Sequence, residues 1–243
     1  MRPPAVWTIA GIPVHIAPSW FVIILFVSWS LATGYFPARA SGLPGLTYWT
    51  MGFMAALLLF ACVLLHELGH ALTAQRFGIP VLGMTLFLFG GVAQLANDPK
   101  RPLVELLVAL AGPAVSAALG AGCFFAARAI PVTRDVHLIL AAILEYLAMI
   151  NLGLILFNLL PGFPLDGGRV LRAALWGATG NLRTATRISS AVGSWLGLGL
   201  LALGVWSMVR GAGLHGLWYV LLGMFLRDAA RATYHAAAER TPR

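Results

Sequence analysis

The residues of this chain best suited to chemistry stand in one short stretch, His66-Glu67-Leu68-Gly69-His70. Histidines four residues apart lie on one face of a helix, so both imidazoles can bind one metal ion with Glu67 beside it. A carboxylate in that place can act as the general base for a hydrolytic water. The pattern predicts a hydrolytic zinc site. The alternative is a buried polar cluster, which would be costly among leucines without an ion.

A third metal ligand is expected, because a catalytic zinc ion usually has three protein ligands and one open position. The stretch 158–168, NLLPGFPLDGG, offers a lone carboxylate between two prolines and two glycines. We predict that His66, His70 and Asp166 bind Zn²⁺. Glu67 would then take a proton from the zinc-activated water and deliver it to the leaving amine.

These stretches resemble motifs of the site-2 proteases, a family of intramembrane zinc metalloproteases. Residues 66–70 are similar to the family's HExxH, residues 158–167 to its N-P-D-G motif, and residues 112–116 to a small-residue motif between them. The resemblance covers nearly the whole chain and is to the six-span prokaryotic type, without C-terminal CBS domains. It implies that Asn158 contacts the substrate backbone or an oxyanion. The alternative for Asn158 is an amide that satisfies backbone freed by Pro161.

The resemblance also implies a function, that of a zinc metalloendopeptidase in regulated intramembrane proteolysis. Its partners would be membrane-anchored substrates such as an anti-sigma factor, a pro-sigma factor or a membrane-bound transcription factor.

Three other functions stay open. A membrane zinc protease of the prenyl-protein type would take a later glutamate as ligand, but Glu105 and Glu145 lack the accompanying motif. A non-proteolytic metal-binding protein or transporter would place polar ligands at several depths. An inactive scaffold would have lost Glu67 or a ligand.

The composition is that of a protein in a lipid bilayer. The 243 residues are 60% hydrophobic and 10% charged, with a mean hydropathy of +0.86. A formal net charge of +8 does not indicate nucleic-acid binding here, because the basic residues are spread over the connections between apolar runs. Cys62 and Cys123 lie inside apolar runs and indicate no disulfide framework. Cys62, one turn before His66, is a weaker candidate ligand.

The apolar runs predict an α-helical polytopic membrane protein with about six transmembrane helices and a short membrane-associated β-sheet. We expect a single domain, 1–243, that begins with a strand region at 1–16. The stretch 79–96 is too short and too rich in glycine to span, and it is interpreted as a re-entrant β-hairpin. The predicted spans are 17–36, 47–77, 102–127, 136–160, 189–209 and 214–234.

Several polar and small residues within the spans have structural interpretations. Gly112, Ser116 and Gly120 recur at intervals of four and predict close helix packing. Glu105 follows Arg101 by four residues, a spacing that favours an ion pair at the membrane interface. Glu145 is interpreted as structural or water-facing.

The basic residues predict the orientation in the cell membrane. With six spans, most Lys and Arg residues fall on the side of the two termini, and only Arg39, Arg128, Arg134 and Arg210 fall on the other. Cytoplasmic connections carry the excess of positive charge. The sequence therefore predicts that both termini and the active site face the cytoplasm.

Overall fold

The computed structural model of this chain describes residues 5–131, 133–211 and 213–239. Its helices follow the long apolar runs, because a backbone in lipid must satisfy its own amides and carbonyls. They are α1 (Ser19–Ser30), α2 (Phe36–Arg39), α3 (Gly45–Arg76), α4 (Pro102–Ala129), α5 (Asp135–Asn158), α6 (Asp166–Thr179), α7 (Leu182–Val209) and α8 (Gly213–Glu239). A π-helical turn, Leu31–Tyr35, joins α1 to α2.

Within the described ranges, five helical segments are long and apolar enough to cross a bilayer. They are Ser19–Arg39, Gly45–Arg76, Pro102–Ala129, Asp135–Asn158 and Leu182–Val209. The predicted class, a helical multi-pass membrane protein, is therefore confirmed. Helix α8 covers the sixth predicted span, 214–234, but it carries Arg227, Asp228 and Arg231 in its second half and is not among the five. That span stays a prediction.

The predicted short β-sheet is present, with four strands in the order β1 (Ala5–Ile9), β2 (Ile12–Ile16), β3 (Val81–Phe87) and β4 (Gly90–Leu95). Strands β1 and β2 form an antiparallel hairpin whose turn residues, Ala10 and Gly11, have φ of 50° and 76°. Strand β2 pairs in parallel with β3, and β3 pairs antiparallel with β4, with Met84 opposite Ala93. Strand β4 is consequently an edge of the sheet.

By its internal contacts the chain divides into two units, Met1–Asp98 with Ala111–Ile155, and Pro99–Leu110 with Leu156–Arg243. In the first unit, Ile12, Val14 and Met84 of the sheet are fully buried in an apolar cluster with Ala71 of α3. Because Ala71 directly follows His70, this cluster packs the sheet against the helix that carries the HExxH motif.

In the second unit, α7 and α8 pack closely through glycines. A Cβ added to Gly197 would lie 2.8 Å from the carbonyl oxygen of Gly223, and one added to Gly204 would lie 2.7 Å from that of Gly216. Real Cβ atoms do not approach other atoms so closely. Small residues are needed here because close backbone contact drives helix association in lipid.

Candidate metal centre

Helix α3 supplies the two histidines, and its periodicity places them on one buried face. His66 is 3% exposed and His70 is 4% exposed. Their Nε2 atoms face each other at 3.2 Å. Two nitrogens bound to one tetrahedral zinc ion, each at about 2.0–2.1 Å, lie roughly 3.3 Å apart. The spacing of these two nitrogens therefore fits a shared metal ion.

A residue of α4 in the same unit, Ser116, contacts the other ring nitrogen of His66. The Nδ1 of His66 lies 2.9 Å from the Oγ of Ser116, which is fully buried. When Nδ1–H donates to this hydroxyl, the tautomer is set so that Nε2 keeps its lone pair for a metal. The sequence predicted only helix packing for Ser116. Its spacing from Gly112 shows which helix face it occupies but not that it contacts an imidazole.

Two glycines allow α4 to come this close to the histidines. A Cβ added to Gly69 would lie 2.9 Å from the side chain of Val115, so the glycine within the HExxH motif is required by the crossing of the two helices. A Cβ added to Gly112 would lie 2.7 Å from His66 Nε2 and closer still to His70 Nε2. Gly112 thus leaves open the space into which both nitrogens point, where a metal ion would lie.

The side chain of Glu67 extends from α3 to strand β4. The backbone N–H of Ala93 donates to its Oε2 at 3.1 Å. A Cβ added to Gly91 would lie 2.6 Å from Glu67 Cγ, so only glycine fits the strand over this side chain. Because β4 is an edge strand, its amides point alternately toward β3 and away from it. The hydrogen bond from the amide of Ala93 places the carboxylate of Glu67 beside strand β4.

Asp166 is the first residue of α6, in the second unit. Leu165 before it is extended, with φ −71° and ψ 161°. The carboxylate of Asp166 lies in the first helical turn. A negative charge there interacts favourably with the helix dipole. Asp166 is 9% exposed. The two glycines that follow let the preceding loop fold back over the helix, since a Cβ on Gly167 or Gly168 would overlap the backbone of that loop.

Asn158 is the last residue of α5 and is half-buried. The structure thus places it where a helix ends and the loop to Asp166 begins. Its predicted role toward the substrate stays a prediction.

Within the first unit, the two buried imidazoles of His66 and His70 are the metal-binding pair. Asp166, in the second unit, stays the predicted third ligand. Two imidazoles and a carboxylate are the donor set of many catalytic zinc sites.

The two glutamates considered as alternative ligands bind arginines. Glu145 accepts from Nε of Arg39 at 2.7 Å. Glu105 is fully buried and forms an ion pair with Arg172, so the predicted pairing of Glu105 with Arg101 is wrong. A local spacing of four residues did not decide the partner, because a fully buried carboxylate needs a buried cation.

A multi-pass helical membrane protein whose buried helix face presents HExxH histidines to a common point has the arrangement of a metal site inside the membrane. Comparison with known proteins gives the family. Residues 54–132 and 129–200 match the family described as Peptidase family M50, and the chain belongs to this family.

Among the relatives is the Synechocystis protein sll0528, 43% identical over 93% of this chain and 58% of its own length. Another is Rip3 of Mycobacterium tuberculosis, 42% identical over 92% of this chain and 56% of its own length. Both are named as zinc metalloproteases. The chain spans little more than half the length of these relatives.

A solved structure, the site-2 protease from Methanocaldococcus jannaschii, is similar to this fold throughout. The TM-score is 0.64 at 27% identity, over 95% of this chain and 94% of that one. The resemblance to site-2 proteases drawn from the sequence motifs is thereby confirmed.

Proposed function

We propose that this chain is an intramembrane zinc metalloendopeptidase that cleaves membrane-anchored regulatory proteins. The observation that carries the proposal is the pair of buried imidazoles on a membrane-spanning helix, with Nε2 atoms 3.2 Å apart and a carboxylate on the adjacent residue. Three ionisable side chains in such a helix are costly unless they serve a site.

His66, His70 and Asp166 are the proposed zinc ligands. A zinc ion held there would supply a water activated as a nucleophile near neutral pH and a Lewis acid for the scissile carbonyl. The hydrogen bond between His66 Nδ1 and Ser116 Oγ holds the ring orientation, and the space beside Gly112 would admit the ion.

Glu67 is the proposed general base. It removes a proton from the attacking water and passes it to the amine that leaves when the peptide bond breaks. The amide of Ala93 supports this role, because it donates to Oε2 and fixes the carboxylate without neutralising it. Asn158 is proposed to contact the substrate backbone or the developing oxyanion, for which its amide nitrogen is a suitable donor.

The substrate is proposed to bind as an extra strand along β4. A helical substrate hides its carbonyls in its own hydrogen bonds, so the segment around the scissile bond must unwind before attack. The free edge of β4 can satisfy that backbone by strand addition. The hydrogen bond between Ala93 and Glu67 supports this, since the edge that would receive the substrate faces the base. The alternative for the hairpin is a cover over the cytoplasmic side of the protein.

The proposed substrates are anti-sigma factors, pro-sigma factors or membrane-bound transcription factors, with the site and both termini on the cytoplasmic side. The excess of lysine and arginine on the connections predicted to be cytoplasmic supports this orientation. The rival of a prenyl-protein type of protease is disfavoured, because Glu105 and Glu145 are each bound to an arginine. A transporter is disfavoured because the described residues offer one metal-binding group and not a series.

The test uses purified protein reconstituted with zinc and a panel of single-span reporter substrates. The wild type should cleave, and Glu67→Gln should retain full zinc content but no cleavage, because it removes the base and leaves the ligands. Asp166→Ala should lower zinc affinity by more than about 100-fold, since even loss of a group that only orients a ligand costs about 10–100-fold. Undiminished turnover by Glu67→Gln would refute the mechanism, and full zinc affinity in Asp166→Ala would refute the ligand set.

The same Glu67→Gln variant can identify the substrate. Expressed in the native cell, it should hold uncleaved membrane proteins, which co-purify and are identified by mass spectrometry. Wild-type protein is the control, and proteins enriched only with the variant are the candidates for cleavage with purified enzyme.

A further inference from the structure

Phe163, three positions before Asp166, fixes part of the loop between α5 and α6. Phe163 is 6% exposed. Its backbone N–H donates to the carbonyl oxygen of Ser189 in α7 at 3.2 Å. This hydrogen bond joins the loop to α7 at a position that precedes Asp166 in the chain.

Gly193 of α7 forms the surface on which this loop rests. A Cβ added to Gly193 would lie 2.8 Å from the backbone nitrogen of Phe163 and closer still to its carbonyl oxygen. A Cβ added to Gly162 would in turn lie 2.6 Å from the nitrogen of Gly193. The two backbones are in direct contact, so no side chain fits at Gly193 unless the loop moves.

An arginine of α6 contacts the ring of Phe163. The guanidinium carbon of Arg172 lies 5.0 Å from the ring centroid. This distance is within the range of a cation–π contact. Arg172 also forms an ion pair with Glu105 of α4, and their side chains are 8% and 0% exposed. One guanidinium therefore contacts both the ring of Phe163 and the buried carboxylate of Glu105.

A buried ion pair is a weak device for stability, because well-packed apolar residues of similar volume often stabilise as well or better. Here the pair has a definite geometric effect. It holds a planar cation over the ring of the residue that anchors the loop to Asp166.

We propose that Phe163 is the anchor that sets the position of Asp166, and that Gly193, Arg172 and Glu105 are positioning residues for the metal site. The inference rests on the proposed function, since it takes Asp166 as a zinc ligand. Gly193 determines how closely the loop approaches α7, and the Glu105–Arg172 pair keeps the ring of Phe163 in place.

The first test is Gly193→Ala, with Gly199→Ala as matched control. Gly199 lies on the same helix and has no atom within 4 Å of the position its Cβ would take. The full chain is purified in detergent, and zinc affinity is measured by competition with a chelator. The absorption spectrum of the cobalt-substituted protein reports the metal's coordination without any substrate.

Gly193→Ala should weaken zinc binding by about 10–100-fold, the range found when groups that orient ligands are removed. Its cobalt spectrum should shift toward that of Asp166→Ala, whereas Gly199→Ala should match the wild type in both measurements. Wild-type zinc affinity and cobalt spectrum in Gly193→Ala would overturn the proposal.

The second test separates positioning from stability at the ion pair. In the double variant Glu105→Leu with Arg172→Met, apolar packing replaces both charges, so thermal stability should stay near that of the wild type. Zinc affinity should still fall and the cobalt spectrum should still change, because nothing then holds the ring of Phe163. A double variant with an unchanged metal site would overturn the role of the pair.

Arg172→Lys covers the case in which the double variant does not fold. Lysine keeps the charge for Glu105 but lacks the planar guanidinium over the ring. An intermediate loss of zinc affinity is expected, and wild-type affinity would overturn the role of Arg172.

Asp166→Ala distinguishes failure of this inference from failure of the proposed function. If zinc affinity and the cobalt spectrum respond to Asp166→Ala but not to Gly193→Ala, only the positioning inference is wrong. If they do not respond to Asp166→Ala, Asp166 is not a ligand and both are wrong.

Discussion

Gly112→Ala is the sharpest perturbation of the histidine pair that leaves both ligands in place. The new methyl group would lie 2.7 Å from His66 Nε2 and 2.6 Å from His70 Cε1, and closer still to His70 Nε2. Ordinary van der Waals contact begins near 3.4 Å, so the methyl group and His66 Nε2 must separate by about 0.7 Å more, and the methyl group and His70 Nε2 by a larger amount. Metal–ligand distances in a working site are kept within about 0.2 Å. The displacement is more than three times that tolerance.

The expected result is a zinc affinity at least about 100-fold below that of the wild type, or about 2.8 kcal/mol. Affinity is measured by chelator competition and bound metal by elemental analysis of the purified protein. Gly122→Ala is the matched control, because it lies on the same helix and its Cβ would have no atom within 4 Å. Thermal unfolding of the metal-free proteins shows whether the fold itself tolerates each methyl group.

Zinc affinity and unfolding temperature together distinguish two outcomes for Gly112→Ala. If Gly112→Ala unfolds at the same temperature as Gly122→Ala but binds zinc weakly, the methyl group acts on the metal site. If it binds zinc as tightly as Gly122→Ala, the space beside Gly112 is not where the metal lies, and the fit of the two imidazoles to a shared ion is wrong.

Two of the remaining predictions concern contacts of the site, and the third concerns the distribution of basic residues. Ser116→Ala should lower zinc affinity by about 10–100-fold, and Ser116→Thr, which keeps the hydroxyl, should lower it less; equal losses would refute the hydrogen bond's role. Ala93→Pro should leave zinc content unchanged and reduce cleavage of reporter substrates, because it removes the donor to Glu67 and disrupts the strand edge; unchanged cleavage would refute strand capture. Tags at both termini should be inaccessible in intact cells and accessible after permeabilisation, and an exposed terminus would refute the predicted orientation.

Features set by local periodicity could be predicted from the sequence. The apolar runs predicted the membrane-spanning helices, and the four-residue spacing of His66 and His70 predicted a shared face. The glycine-punctuated stretch 79–96 predicted a hairpin, and strands β3 and β4 lie within it. The parallel pairing of β2 with β3, with His15 opposite Thr85, joins distant segments and has no local signal.

Features that depend on which helices meet were predicted poorly. Glu105 was paired with Arg101 by a local rule, whereas its partner Arg172 lies 67 positions away. Gly112 and Ser116 were interpreted as packing residues, which is how small residues at helical intervals usually act in lipid. The close approach of α4 to α3 agrees with that interpretation, but it named no partner, and the side chains that Gly112 and Ser116 contact are imidazoles.

Helix α6 was not expected as an element of its own. It begins at the predicted ligand Asp166, and its second and third residues are glycines, which disfavour a helix interior. The glycines are needed because the preceding loop folds back against the first turn, where a Cβ would overlap backbone atoms. The low helix propensity of glycine was thus overridden by the contact between the loop and the first turn of α6, where Asp166 lies.

The polar residues of this chain share one physical requirement, and it explains why the site has so many supporting groups. In a segment surrounded by lipid, each polar side chain must find a partner or a ligand, because water is not available to satisfy it. Ser116 meets Nδ1 of His66, the amide of Ala93 meets Glu67, and Arg172 meets Glu105. Each partner also restricts the geometry of the residue it satisfies. In this protein the cost of burying polar groups in a membrane and the precision required of a metal site are therefore met by the same contacts.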